Sequence, residues 1–104
     1  MTTSPAHQVE FSQRAAAEVH RAREWWQEHR EKAPGAFDEA MLELVATLEQ
    51  TPELLGEHAR NMPGIRRVYL RRVRYHAYYR VAGHERHVQI LSLWHASRGQ
   101  EPNL

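Results

Sequence analysis

The residues with the most chemistry to offer in this 104-residue chain lie in its last third. His95 and Arg98 stand three apart, just past the final apolar run. An imidazole titrates near neutral pH and can serve as general acid or base, while a guanidinium grips phosphate or carboxylate with a planar fork of donors. Both have plainer uses as well: His95 as a cap on a sheet edge, Arg98 as a tie between the C-terminal tail and acidic helices. His76 is the other candidate for proton transfer. It alternates with Arg74, Tyr78 and Arg80, so a strand places them together on its outward side as a contact face. Arg67, Arg71 and Arg72 extend the set able to hold an anionic partner. Trp25 joins it as an exposed contact, because it falls beside, not on, the apolar stripe of its segment.

Other residues are set aside on chemical grounds. Tyr75 and Tyr79 alternate with Ala77 and Val81 and read as core aromatics. His84 and His87 bracket a turn without a set of carboxylates or thiols around them, so no metal site is expected. No cofactor is expected either. The absence of cysteine excludes a disulfide framework, a zinc knuckle and a thiol nucleophile. The N-terminal MTTSPAHQVEF has neither the basic nor the apolar region of a signal peptide, and no apolar run approaches a membrane span. The expectation is a cytoplasmic protein with no membrane partner.

Charge is distributed unevenly. Residues 65–104 hold eight arginines against two acids, a net of +6, whereas residues 1–64 hold six basic and eleven acidic side chains, a net of −5. The C-terminal part should face an anionic partner, either nucleic acid or an acidic peptide; a strand face merely solvated by arginines is the alternative.

The elements that must position these residues follow from periodicity. Val9 and Phe11 alternate with polar neighbours, as in a short strand. Ser12 offers an N-cap for a helix with apolar positions at Ala15, Ala16, Val19, Ala22, Trp26 and Ala33. Ala33-Pro34-Gly35 breaks it, and Pro34 suits the first turn of a second helix carrying Phe37, Ala40, Met41, Leu44, Val45 and Leu48 until Thr51-Pro52. So short a link predicts an antiparallel αα-hairpin. Residues 53–64 read as a loop, and 65–72, 75–81 and 88–94 as strands, with residues 82–86 as the last hairpin loop. The predicted fold is α+β: an N-terminal strand, the helical hairpin, then a three-strand antiparallel meander, with the helices on one face of the sheet. The length allows a single domain over residues 1–104, with its core at about 8–98 and short flexible termini.

This order of elements resembles the RelE/ParE superfamily of bacterial toxins. Trp25-Trp26 late in the first helix, Phe37 opening the second, and Leu48 followed by Pro52 and Gly56 are similar to that family's landmarks. Most specific are Ile65-Arg66-Arg67-Val68-Tyr69-Leu70, Tyr75 through Val81, and Val88 through Arg98. They resemble the family's arginine strand, its YxxxYRV strand and its VxIL strand ending in HxxR.

The resemblance implies the toxin of a type II toxin–antitoxin pair, neutralised by a cognate antitoxin that wraps an extended or helical segment around it. RelE-like members cleave messenger RNA in the ribosomal A site; ParE-like members bind and poison DNA gyrase without catalytic side chains. RelE-like sequences carry an arginine where this chain has His76, and end in a tyrosine, whereas no tyrosine follows Tyr79. The expectation is therefore ParE-like inhibition of gyrase. The alternative is a ribosome-dependent endoribonuclease with His95, Arg98 and His76 as catalytic residues and Arg67, Arg71, Arg72, Arg74, Tyr78 and Arg80 cradling the RNA. A retuned toxin whose firm partner is its antitoxin is a third reading.

Overall fold

The computed structural model describes residues 7–29, 33, 35–52, 55–82 and 86–104. Its elements are β1 (Gln8–Phe11), α1 (Gln13–His29), α2 (Ala36–Gln50), β2 (Glu57–His58), β3 (Arg66–Leu70), β4 (Tyr75–Ala82) and β5 (His87–His95). The strands form one sheet in the order β1-β5-β4-β3-β2. β2, β3, β4 and β5 pair antiparallel in succession, and β1 lies parallel to β5 at the far edge. The α+β architecture read from sequence is the observed one.

Local chemistry accounts for where the elements begin and end. Ser12 accepts the Ala15 N–H on its Oγ at 3.0 Å, the expected N-cap. Asp38 and Glu39 place negative charge in the first turn of α2, where the helix dipole favours it. Arg23, late in α1, donates to Asp38, early in α2, at 2.7 Å, as antiparallel neighbours must. The core gathers Ala15, Ala22 and Trp26 of α1, and Phe37, Ala40, Met41, Leu44 and Leu48 of α2. These pack against Val68, Ala77, Tyr79, Val88, Ile90 and Leu93 of the sheet. One sheet face is thus covered by both helices, and the other carries Arg67, Tyr69, His76, Tyr78 and Arg80.

Several sequence expectations are corrected. α1 ends at His29, so Ala33 is off the helix and exposed. Its carbonyl instead accepts the Trp26 indole N–H at 2.8 Å. Ala16 is exposed, since the buried stripe runs through Ala15. The stretch 53–64, read as loop, contains β2, which pairs Glu57 with Arg67 and His58 with Arg66. Gly56 makes that pairing possible: its φ is +72°, and a Cβ there would lie 2.4 Å from the Arg67 carbonyl oxygen. β3 stops at Leu70, not at 72, because Val73 turns inward and is buried at 1% exposure. Pro34 and the loop residues Gly83, His84 and Glu85 lie outside the described residues.

Candidate functional site

The candidate residues fall into separate groups, set by the sheet's period of two. On the outer face, Arg67 of β3 pairs in register with Tyr78 of β4, and His76 pairs with Tyr69 on one side and Trp94 on the other. The His76 ring lies 4.9 Å from that of Tyr69 and 6.5 Å from that of Tyr78. Arg67 donates to Glu57 at 2.9 Å and faces Glu101 at 3.7 Å. The Glu57 hydrogen bond is the chief cause that raises the Arg67 pKa above its already high value. Burial first, and the Arg67 charge second, lower the pKa of His76. Its Nδ1 is buried without a hydrogen-bond partner. Arg80, further along this face, is exposed and donates to Gln89 at 3.2 Å.

Tyr78 departs from the expectation. It is on the outward side, as its alternation required, yet only 1% exposed. The C-terminal residues fold back along this side of the molecule: Trp94 donates its indole N–H to the Gln100 carbonyl at 2.7 Å, and Arg14 donates to the Asn103 carbonyl at 2.8 Å. Pro102 is buried. A buried tyrosine offers less to a partner than the exposed one read from sequence.

The second group sits at the end of the sheet, on the helix side. His95 pairs in register with Tyr75, their rings edge to face at 4.9 Å. With Arg98, Arg21, Trp25 and Glu18 they line a cleft of about 170 Å³. Burial raises the Tyr75 pKa, the Arg98 charge opposing it in part. The His95 Nδ1 accepts the Ser97 N–H at 3.1 Å and lies 2.7 Å from the Ser97 hydroxyl. A neutral His95 that accepts this bond carries its proton on Nε2. Arg98 stacks over the Trp94 ring at 4.0 Å. Trp25 is 43% exposed and stacks on His29 at 4.5 Å.

The remaining arginines belong to the β3–β4 turn, not to a strand face. Arg71 and Arg74 are exposed and share a depression with Tyr69, His95 and Ser97. Arg74 adopts a φ of +63°. Arg72 reaches back to α2, bonding Glu39 at 3.0 Å with Glu43 at 3.9 Å. The structure thus brings together Arg67, His76, Tyr78 and Arg80 on one face, and His95, Arg98 and Trp25 in one cleft. It does not join His76 to His95, which project from opposite faces. Arg21, Tyr69, Glu57, Trp94 and Glu101 were missed. Tyr69 was legible, two residues from Arg67 on the same strand, but nothing in the tail's composition announced that it folds back. Among the described residues, no group of three or more acidic, histidine or cysteine side chains could hold a metal ion. No helix among them is long and apolar enough to cross a membrane.

Comparison with known proteins gives the arrangement its lineage. The chromosomal ParDE toxin–antitoxin system of P. aeruginosa contains a chain that superposes with a TM-score of 0.71 at 25% identity, covering 88% of this chain and 97% of that one. The intact E. coli RelBE toxin–antitoxin complex matches with a TM-score of 0.58 at 24% identity, over 89% and 100%. A RelBE-type toxin–antitoxin complex from Mycobacterium tuberculosis gives 0.62 at 22%, over 88% and 99%; these last two likenesses speak for the fold. No functionally curated protein matches the sequence significantly. The model of the ParE toxin of type II toxin–antitoxin systems, parDE, matches residues 9–99, from the first strand through the cleft at His95 and Arg98. By that span the chain, which shares its fold with the RelE structures, belongs to the ParE toxin family of type II toxin–antitoxin systems.

Proposed function

We propose that this toxin is neutralised by a cognate antitoxin and arrests growth by binding DNA gyrase, not by cutting RNA. The observation that carries this reading is the state of the two histidines. General acid–base cleavage of a phosphodiester needs two proton carriers within hydrogen-bond reach of one phosphate. Here His76 and His95 face opposite sides of the sheet, and the lone pair of His95 is engaged by Ser97. A binding toxin has no need of such a pair. The endoribonuclease reading keeps one observation in its favour, namely that Arg21, Arg98, His95 and Tyr75 line a common cleft.

Purified protein should inhibit gyrase supercoiling and leave messenger RNA intact on translating ribosomes. His95→Gln should retain most of its toxicity, and growth arrest should come with a DNA-damage response. A folded His95→Gln protein that has lost toxicity, with ribosome-dependent cleavage reduced by roughly 10²–10⁴-fold, would establish the ribonuclease instead.

A further inference from the structure

The cleft between α1 and the paired ends of β4 and β5 has a single chemical character: its free polar groups donate. Arg21 and Trp25 come from α1, Tyr75 and His95 from the strand ends, and Arg98 from just beyond them. The two guanidiniums have donors only. His95, with its Nδ1 accepting the Ser97 N–H at 3.1 Å, carries a donor on Nε2 when neutral. The Tyr75 hydroxyl keeps its proton, because burial raises its pKa further than the Arg98 charge lowers it. Glu18 is the one acceptor-only side chain in the lining, and both of its oxygens are engaged. One accepts the Ser92 hydroxyl at 2.9 Å and the Leu93 N–H at 3.1 Å, and the other lies 3.6 Å from Arg14. Among the described residues neither Arg21 nor Arg98 forms an ion pair. Arg98 stacks its flat face on Trp94, which leaves the N–H groups along its edge for a ligand.

We propose that this cleft binds, without cutting, a backbone phosphate of a single nucleic-acid strand. A phosphate offers only acceptors to the donors that line the site, and two guanidiniums offset its charge. The volume of about 170 Å³ has room for a phosphate group but not for a whole nucleotide, so the base must lie outside. Trp25 lines the same cleft with its ring 43% exposed, an aromatic surface on which that base can stack. A carboxylate would suit the guanidiniums equally well, but aromatic surface beside positive charge is how single strands are held. A second depression shares His95 with the cleft and carries Arg71 and Arg74, so a strand leaving the cleft on that side meets further guanidiniums. With no free base to take a 2′-hydroxyl proton, the site holds a phosphate and does not cleave beside it. That the strand is DNA held by gyrase rests on the function proposed above; the phosphate site does not.

The test is fluorescence anisotropy of a labelled thymidine decamer with the full chain at low salt, each variant being checked for folding by circular dichroism. Arg21→Glu and Arg98→Glu should each weaken binding by about five-fold or more, and Arg80→Glu, the same charge change on the opposite face, by under about two-fold. If a glutamate variant fails to fold, Arg21→Gln carries the comparison. Trp25→Ala should weaken the decamer by about five-fold and leave an abasic strand of the same length unaffected, a separation that a merely structural role would not produce. A uridine decamer should bind about as well, since no free acceptor in the cleft can read a 2′-hydroxyl, and it should be recovered whole. No binding by the folded chain, an equal loss in Arg80→Glu, ready displacement by hexaglutamate, or a cut uridine strand would each overturn the proposal. Gyrase inhibition is measured in parallel. Strand binding without it removes the target reading and leaves the cleft standing; inhibition by a folded chain that binds neither decamer does the reverse.

Discussion

Trp25 and Trp26 are adjacent in sequence and opposite in fate. A helix turns 100° per residue, so neighbours cannot share a face. Trp26 is 9% exposed in the core with its indole N–H on the Ala33 carbonyl, while Trp25 is 43% exposed against His29. Trp26→Ala should therefore lower stability by about 3–5 kcal/mol, through lost apolar burial and a residual cavity. Trp25→Ala should cost well under half of that, and thermal or urea unfolding of the two variants gives the order directly. His76 supplies a test in pH. Its pKa is lowered in the fold by burial and by Arg67, so below about 6.5 the unfolded chain binds more protons than the folded one. The stability from this group is complete above that pH and is lost as pH falls through the folded value. Acidification from pH 7 to 5 should lower the melting temperature of the native protein more than that of His76→Gln. Parallel curves for the two would mean that the ring is not linked to folding.

Among the elements, the fifth strand has the least obvious support. β1 pairs with it only as far as Ile90, so the edge beyond lacks a strand partner on that side. Glu18 of α1 takes the missing strand's place, accepting the Leu93 N–H at 3.1 Å and the Ser92 hydroxyl at 2.9 Å through one carboxylate oxygen. Its side chain is 11% exposed, and Ser92 is fully buried. Glu18→Ala would strand both donors, a loss of roughly 1–3 kcal/mol. Glu18→Gln, which keeps an amide oxygen, should recover part of it. Hydrogen exchange at Leu93 provides the local readout, and an unchanged protection factor in the alanine variant would refute the role. The Ser12 cap and the apolar stripes of both helices could be seen in the sequence because each rests on neighbours within a turn. The carboxylate on β5 could not, since it joins residues 74 apart in the chain. β2 escaped for a related reason: two residues are too few to show alternation.

Across the whole molecule, the charge split survives folding, but it is not a single plate of arginines. Arg72 is neutralised by Glu39 and Glu43, Arg67 by Glu57 and Glu101, and Arg71 and Arg74 project from a turn. Reversing Arg71 and Arg74 to glutamate should weaken binding of an acidic antitoxin by about ten-fold, mostly through slower association and most strongly at low salt. Reversing Arg72 should chiefly destabilise the contact with α2, seen as a lower melting temperature. Unaltered antitoxin association in the Arg71/Arg74 variant would remove electrostatic steering from the account. The sequence by itself determined the class of fold, the helical hairpin, the meander, the alternation that sorts β4 into core and outward residues, and the family. All of these are carried by periodicity and by short ordered motifs. Tertiary structure alone decided that His76 and His95 face away from each other, that Val73 ends β3 before the turn arginines, and that Tyr78 is buried on the outward side of its strand. Each of these depends on which distant segments come to lie against one another, and such pairings leave no period in the chain.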